Sequence, residues 1–161
     1  MIRDAGGIES QDPTARARGL AVQFRDWLSR SLKDRTLAFD DAGVLALYTL
    51  IRMRREEILA LGGDETGRWV VGMGAFLGEC IRARFGGSYG QPGAEGLVLA
   101  VREGVKLYPI RWIHANLVGG EKDSLLKRYE ALVAALAGGG GTAPDGGRGA
   151  APGPPRGGRR D

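Results

Sequence analysis

Apolar residues recur at helical spacing through most of the first 85 positions. Asp12-Pro13 pairs a good N-cap with the residue best suited to the first helical position, and Leu20, Phe24, Trp27, Leu28 and Leu32 then follow a 3.6-residue period. This predicts a helix over about 13–33. After Asp40-Asp41, residues Val44, Leu47, Tyr48, Ile51, Ile58 and Leu61 predict a second helix that stops at Gly62-Gly63, with Arg52-Met53-Arg54-Arg55-Glu56-Glu57 as its solvated part. A third, entered through Asp64-Glu65-Thr66, runs to Gly86-Gly87. On its wheel Trp69, Met73, Phe76, Leu77, Cys80 and Ile81 fall within about 140°, with Arg68 and Arg82 opposite, so one broad face is expected to be buried.

From Ser88 the period changes. Leu97–Val101 and Val105–Ile113 flank Arg102-Glu103-Gly104 and read as a β-hairpin, in which Pro109 demands an edge or a bulge and His114 is a polar residue at the strand end. Asp123 or Ser124 then caps a last helix carrying Leu125, Tyr129, Leu132, Val133 and Leu136. The expected fold is α+β: three N-terminal helices, a β-hairpin or small antiparallel sheet, and a C-terminal helix, with Trp27, Trp69 and Trp112 in the core. The domain spans 13–137. It lies between a disordered lead-in, 1–12, and a disordered Gly/Pro/Arg-rich tail, 138–161, which is too poor in apolar surface to offset chain entropy.

Composition changes this picture little. Of the 28 glycines in 161 residues, ten lie in the last 24, which leaves a body large enough to fold without disulfides or metal. A single cysteine excludes an internal disulfide and is compatible with a reducing compartment. The first residues carry no apolar leader run, and no stretch approaches a membrane span, so a cytoplasmic protein without membrane insertion is expected. The net charge of +4 divides into +2 for the body, 19 basic against 17 acidic residues, and +2 for the tail, four against two. Neither part has the strong basicity of a dedicated nucleic-acid binder.

The glycines of the third helix invite two readings. Gly74 and Gly78, four residues apart at the edge of the apolar face, suit close approach by another element, a use that offsets the roughly 1 kcal/mol each costs a helix. Gly72-Met73-Gly74-Ala75-Phe76-Leu77-Gly78 also has the form of a dinucleotide-binding glycine loop, with Arg68-Trp69-Val70-Val71 as the strand before it. That fold wants repeated βα units, and none follow here. Cys80 and His114 are unique in the chain, but Cys80 sits amid the apolar arc, where a thiol behaves as a small hydrophobe, and one Cys with one His cannot furnish four zinc ligands. No catalytic, cofactor-binding or metal-binding residue is assigned. The candidate interaction residues are Glu79, Arg111, Trp112 and His114. Glu79 lies beside the apolar arc, as a half-buried carboxylate, an exposed boundary residue, or an ion-pair partner of Arg82 or Arg111.

The run Gly74-Ala75-Phe76-Leu77-Gly78-Glu79-Cys80-Ile81-Arg82 with Phe85-Gly86-Gly87, then the hairpin, Trp112-Ile113, and Glu121-Lys122-Asp123-Ser124-Leu125 with Tyr129, resembles a family of uncharacterised bacterial domains. These pair a G-x-x-L/F-G-E helix, a short β-region and a terminal D-S-L-x-x-x-Y helix. The resemblance covers roughly residues 40–137. It implies a fold outline and a bacterial cytoplasmic setting, and no catalytic residue.

The leading expectation is a non-enzymatic interaction or accessory module with an unknown protein partner, which an edge strand and the tail would serve. One alternative is a nucleic-acid-associated protein using Arg52, Arg54, Arg55 and the tail arginines, whose Arg148-Gly149 and Arg156-Gly157-Gly158-Arg159-Arg160 resemble RGG segments without their aromatics. The other is a small-ligand or nucleotide binder through Gly72–Gly78.

Overall fold

A computed structural model describes residues 12–94 and 96–138; the expected lead-in and tail lie outside them but for Asp12 and Gly138. Three helices come first: α1 (Pro13–Leu32), α2 (Asp41–Ala60) and α3 (Gly63–Phe85). Each begins or ends where the local chemistry demands. Asp12 accepts a hydrogen bond from the Thr14 amide at 2.9 Å, with Pro13 opening α1. Asp40 accepts from the Gly43 amide at 2.8 Å to open α2. Gly86, at φ +74°, turns the chain out of α3 in a conformation that glycine adopts without strain.

A three-stranded antiparallel sheet follows, in the order β1 (Ser88–Tyr89), β2 (Leu99–Ala100), β3 (Lys106–Leu107). Tyr89 pairs with Leu99, and Leu99 with Leu107. The expected hairpin is present about a 3-10 turn at Arg102–Gly104, but its second strand is shorter than the sequence pattern suggests. Pro109 is neither a bulge nor an edge position: it is the first residue of a helix, α4 (Pro109–Gly119). The missing N–H and fixed φ of proline suit a helix start as well as a strand edge, and the stretch Ile110-Arg111-Trp112-Ile113 is too short for periodicity to separate the two. Ser124 caps the last helix, α5 (Leu125–Ala137). The α+β architecture therefore holds, with one more helix than the sequence pattern predicts.

Helix α3 is the hub, contacting α1, α2 and α4. Every residue from Gly72 to Ile81 is buried, so the helix is enclosed on all sides rather than on the one face that its wheel predicts. The large side chains Met73, Phe76, Leu77 and Ile81 fill the wide gaps, and Gly72, Gly74, Ala75 and Gly78 stand among them. Phe76 centres an aromatic cluster, 5.7 Å from Phe24 and 5.5 Å from Phe39 between ring centroids. The tryptophans are not at that centre. Trp27, Trp69 and Trp112 are half-buried against the hydrophobic core, the first two in edge-to-face contact at 4.7 Å. Indoles are large and carry a polar N–H, so the margin suits them better than the middle.

Candidate functional site

The chemistry-bearing side chains singled out in the sequence are separated by the fold rather than gathered. Glu79 is the most deeply placed, 4% exposed. Its carboxylate accepts two hydrogen bonds from the Arg82 guanidinium, at 2.9 and 3.0 Å, and one from the Tyr89 hydroxyl at 2.9 Å. Of the two arginines within reach of the sequence argument, the structure selects Arg82, one turn along the same helix. Tyr89 carries no sequence signal for this contact: β1 lays it across α3, and an ideal Cβ on Gly78 would come within 2.7 Å of its oxygen. Burial first, and then the neighbouring Glu79 charge, push the Tyr89 phenol well above its ordinary range. The phenol thus stays a hydrogen-bond donor, and the cluster is internally satisfied.

Gly74 meets the start of α4. A Cβ there would lie 2.5 Å from Ile110 Cγ1 and 2.8 Å from Ile110 Cα, closer than atoms in proteins pack. Both glycines are seats for neighbouring elements, as their spacing suggests. The strand that a dinucleotide loop would need at 68–71 is absent; α3 runs unbroken from Gly63 to Phe85, as its apolar period predicts, so the segment has no strand–loop–helix turn to hold a phosphate. Cys80 is fully buried, and burial, reinforced by nearby Asp40, drives its thiol away from the nucleophilic thiolate.

The residues after the hairpin lie on α4 rather than at a strand end. His114 is exposed, Arg111 is exposed with its guanidinium 5.8 Å from the Tyr108 ring centroid, and Trp112 packs against the core. Glu79 and Arg111 do not pair. Among the described residues no group of three His, Cys, Asp or Glu is placed to hold a metal ion, and no helix is long and apolar enough to cross a membrane.

The arginines of α2 are committed within the fold. Arg52 approaches Glu121 at 3.3 Å and the Tyr48 ring at 5.7 Å; Arg54 pairs with Glu57 at 2.7 Å and lies 5.8 Å from the Trp69 ring. Arg55 donates to the Leu117 and Val118 carbonyls at 2.6 and 2.9 Å. There it neutralises the negative, unsatisfied end of α4. This row is a set of tertiary ties, which sequence adjacency alone does not reveal.

A second polar junction joins α2, α3 and α5. Asp41 pairs with Arg84 and accepts from the Tyr129 hydroxyl at 2.5 Å, a contact between residues 88 apart in sequence. The Arg84 hydrogen bond, and then that from Tyr129, hold the Asp41 carboxyl below its usual range, while burial and Asp41 push the Tyr129 phenol up to about 12. Because the folded-state pKa of Asp41 is depressed, its contribution is complete above the unfolded value of about 4 and is lost as pH falls through the folded value. The stability difference between the parent protein and Asp41→Asn should therefore stay level down to about pH 5 and shrink as pH falls from there to about pH 2 in urea titrations. A difference that is constant with pH would show that the junction carries no charge-dependent stability. Asp41 is largely exposed, so the effect should be small and weakened by salt.

What the sequence pattern misses lies on the outer side of α2. Leu45, Met53 and Leu61 are 52%, 76% and 43% exposed, and Met53 is the most exposed large apolar residue among those described. Leu61, expected in the core, sits instead at the helix end, just past the last residue of α2. With Thr49 and Glu57 these three form one i+4 row over a helix about 30 Å long. The signal is present in the spacing of 45, 53 and 61, but it is hidden beneath the stronger inward pattern of Val44, Leu47, Ile51 and Ile58. No family model, curated protein or solved structure matches the chain, so the meaning of this row rests on its geometry.

Proposed function

We propose that the domain is a non-enzymatic protein-interaction module that presents the outer row of α2 to its partner. The supporting observation is Met53, which projects from the middle of a firmly packed helix with Leu45 and Leu61 two turns away on either side. Single exposed apolar residues are ordinary on a protein surface; the row winds around α2, and Met53 at its middle, the most exposed of the three and on a rigid element, is the one suited to anchor a partner. The commitment of Glu79, Cys80 and the α2 arginines to packing favours this over acid–base, thiol or phosphate-binding roles. A cytoplasmic setting and a bacterial origin belong to the same proposal.

A photo-crosslinking phenylalanine analogue at position 53, in cells that make the protein natively, provides the test. A discrete adduct is expected from position 53, absent when Leu45→Glu is added and absent from the same probe at exposed Ala131 on α5. Equal labelling from both positions, or none from 53, would count against the reading.

A further inference from the structure

We propose that the outer surface of α1 binds the phosphate backbone of a nucleic acid without reading its sequence. The net charge of +4 for the whole chain conceals a strong asymmetry. Residues 13–36 carry six cations, Arg16, Arg18, Arg25, Arg30, Lys33 and Arg35, against two anions, Asp26 and Asp34; this is a net of +4 in one helix and its exit turn, and the remainder of the chain is neutral. Both anions have partners of their own. Asp26 pairs with Arg25 at 2.9 Å, and Asp34 accepts from the Thr36 amide and hydroxyl at 2.8 and 2.7 Å. Arg16, Arg18, Arg30, Lys33 and Arg35 are exposed and have no side-chain partner among the described residues, unlike the tied arginines of α2.

These cations are spread along the helix rather than convergent. Helix α1 buries Ala17, Ala21, Phe24 and Leu28, so Arg18 lies on one flank of the opposite face while Arg16 and Arg30, about 40° apart around the axis, share the other. Arg16 and Arg30 stand about 21 Å apart along the axis, with Lys33 and Arg35 just beyond. A compact anion cannot span that line, whereas a phosphate backbone carries charge along its whole length. The exposed residues of α1 between the two flanks are Ala15, Gly19 and Asp26, none of them a large apolar side chain for a protein partner to grip or a bilayer to take up. An electrostatic partner is therefore favoured. Four of the five unpaired cations are arginine, whose planar fork matches phosphate oxygens. The fifth, Lys33, is the one described non-glycine residue at positive φ, +54°, at the C-cap of α1. Glycine adopts that conformation more easily, so a cation is kept there at a conformational cost.

Fluorescence anisotropy of a labelled random-sequence DNA duplex, titrated with the full chain at several salt concentrations, tests the inference. Binding that weakens as salt rises is expected. Arg16→Gln/Arg30→Gln should lower affinity about tenfold or more at low salt and make the slope of log affinity against log salt shallower by about two, since each phosphate contact contributes about 0.9. Arg102→Gln/Lys106→Gln, which removes the same charge from the hairpin, should leave affinity and slope nearly unchanged. Lys33→Gly should weaken binding severalfold while the urea midpoint holds or rises, an opposition that a purely structural role for Lys33 does not give. Circular dichroism of the variants excludes unfolding as the cause. Absence of salt-sensitive binding by the parent chain, or an equal loss from the hairpin and α1 variants, would overturn the inference. So would equal affinity for poly-glutamate, or binding to phosphatidylserine-containing vesicles without binding to DNA. Crosslinking from position 53 reports on a different helix, so the two readings succeed or fail separately.

Discussion

Replacing Glu79 by alanine should destabilise the domain by about 3 kcal/mol, one of the largest single-residue effects the fold predicts. The substitution strips the Tyr89 hydroxyl of its acceptor in a buried setting and removes both hydrogen bonds from Arg82. Tyr89 bears the larger share of the loss, because an orphaned buried hydroxyl forfeits its hydration without return. The Arg82 side chain is 27% exposed and can turn toward water, which places the expected cost at the lower end of the range for a broken buried pair. Glu79→Gln keeps the shape and one acceptor for Tyr89 and should cost about half as much. Urea unfolding of both variants, each also made in a Tyr89→Phe background, separates the two partners: Glu79→Ala should cost less once the hydroxyl is gone. An equal cost in both backgrounds would mean that the Tyr89 hydrogen bond contributes nothing.

The sequence is most legible where one physical signal acts alone. Asp12-Pro13, Asp40, Gly86 and Ser124 mark helix ends through local hydrogen bonds and glycine geometry, and the structure uses each of them so. Gly74 and Gly78 are readable as close-contact positions because a helix interior offers glycine no other advantage. Legibility fails where two signals share one residue type. Pro109 serves a strand edge and a helix start alike, so the sequence of α4 reads as strand, and His114 and Arg111 are misplaced with it. It fails also where the partner is distant: nothing local announces that Tyr89 reaches Glu79, that Tyr129 reaches Asp41, or that Arg55 ties down the end of α4. Exposure is likewise a tertiary property. In the sequence Met53 is part of a polar turn of helix, and only the packing of α2 reveals that it stands at the centre of a row.

Tertiary context also changes the meaning of the glycine-rich helix. Its composition allows a phosphate cradle, yet α1, α2, α4 and β1 occupy the space around it, and the glycines stand where those neighbours approach most closely. The chemistry-like features of α3 thus build the core. Gly67 supplies an internal control, being on the same helix with nothing within 4 Å of an added methyl, whereas at Gly74 the methyl would meet the backbone of Ile110. Both substitutions to alanine gain the same helix propensity of about 1 kcal/mol, so the difference between them isolates the clash. Paired urea unfolding of Gly67→Ala and Gly74→Ala is the most direct measurement. Gly67→Ala should be stabilised by up to about 1 kcal/mol, with Gly74→Ala less stable than it by roughly 1–3 kcal/mol; equal stabilities for the two would contradict the packing role of the α3 glycines.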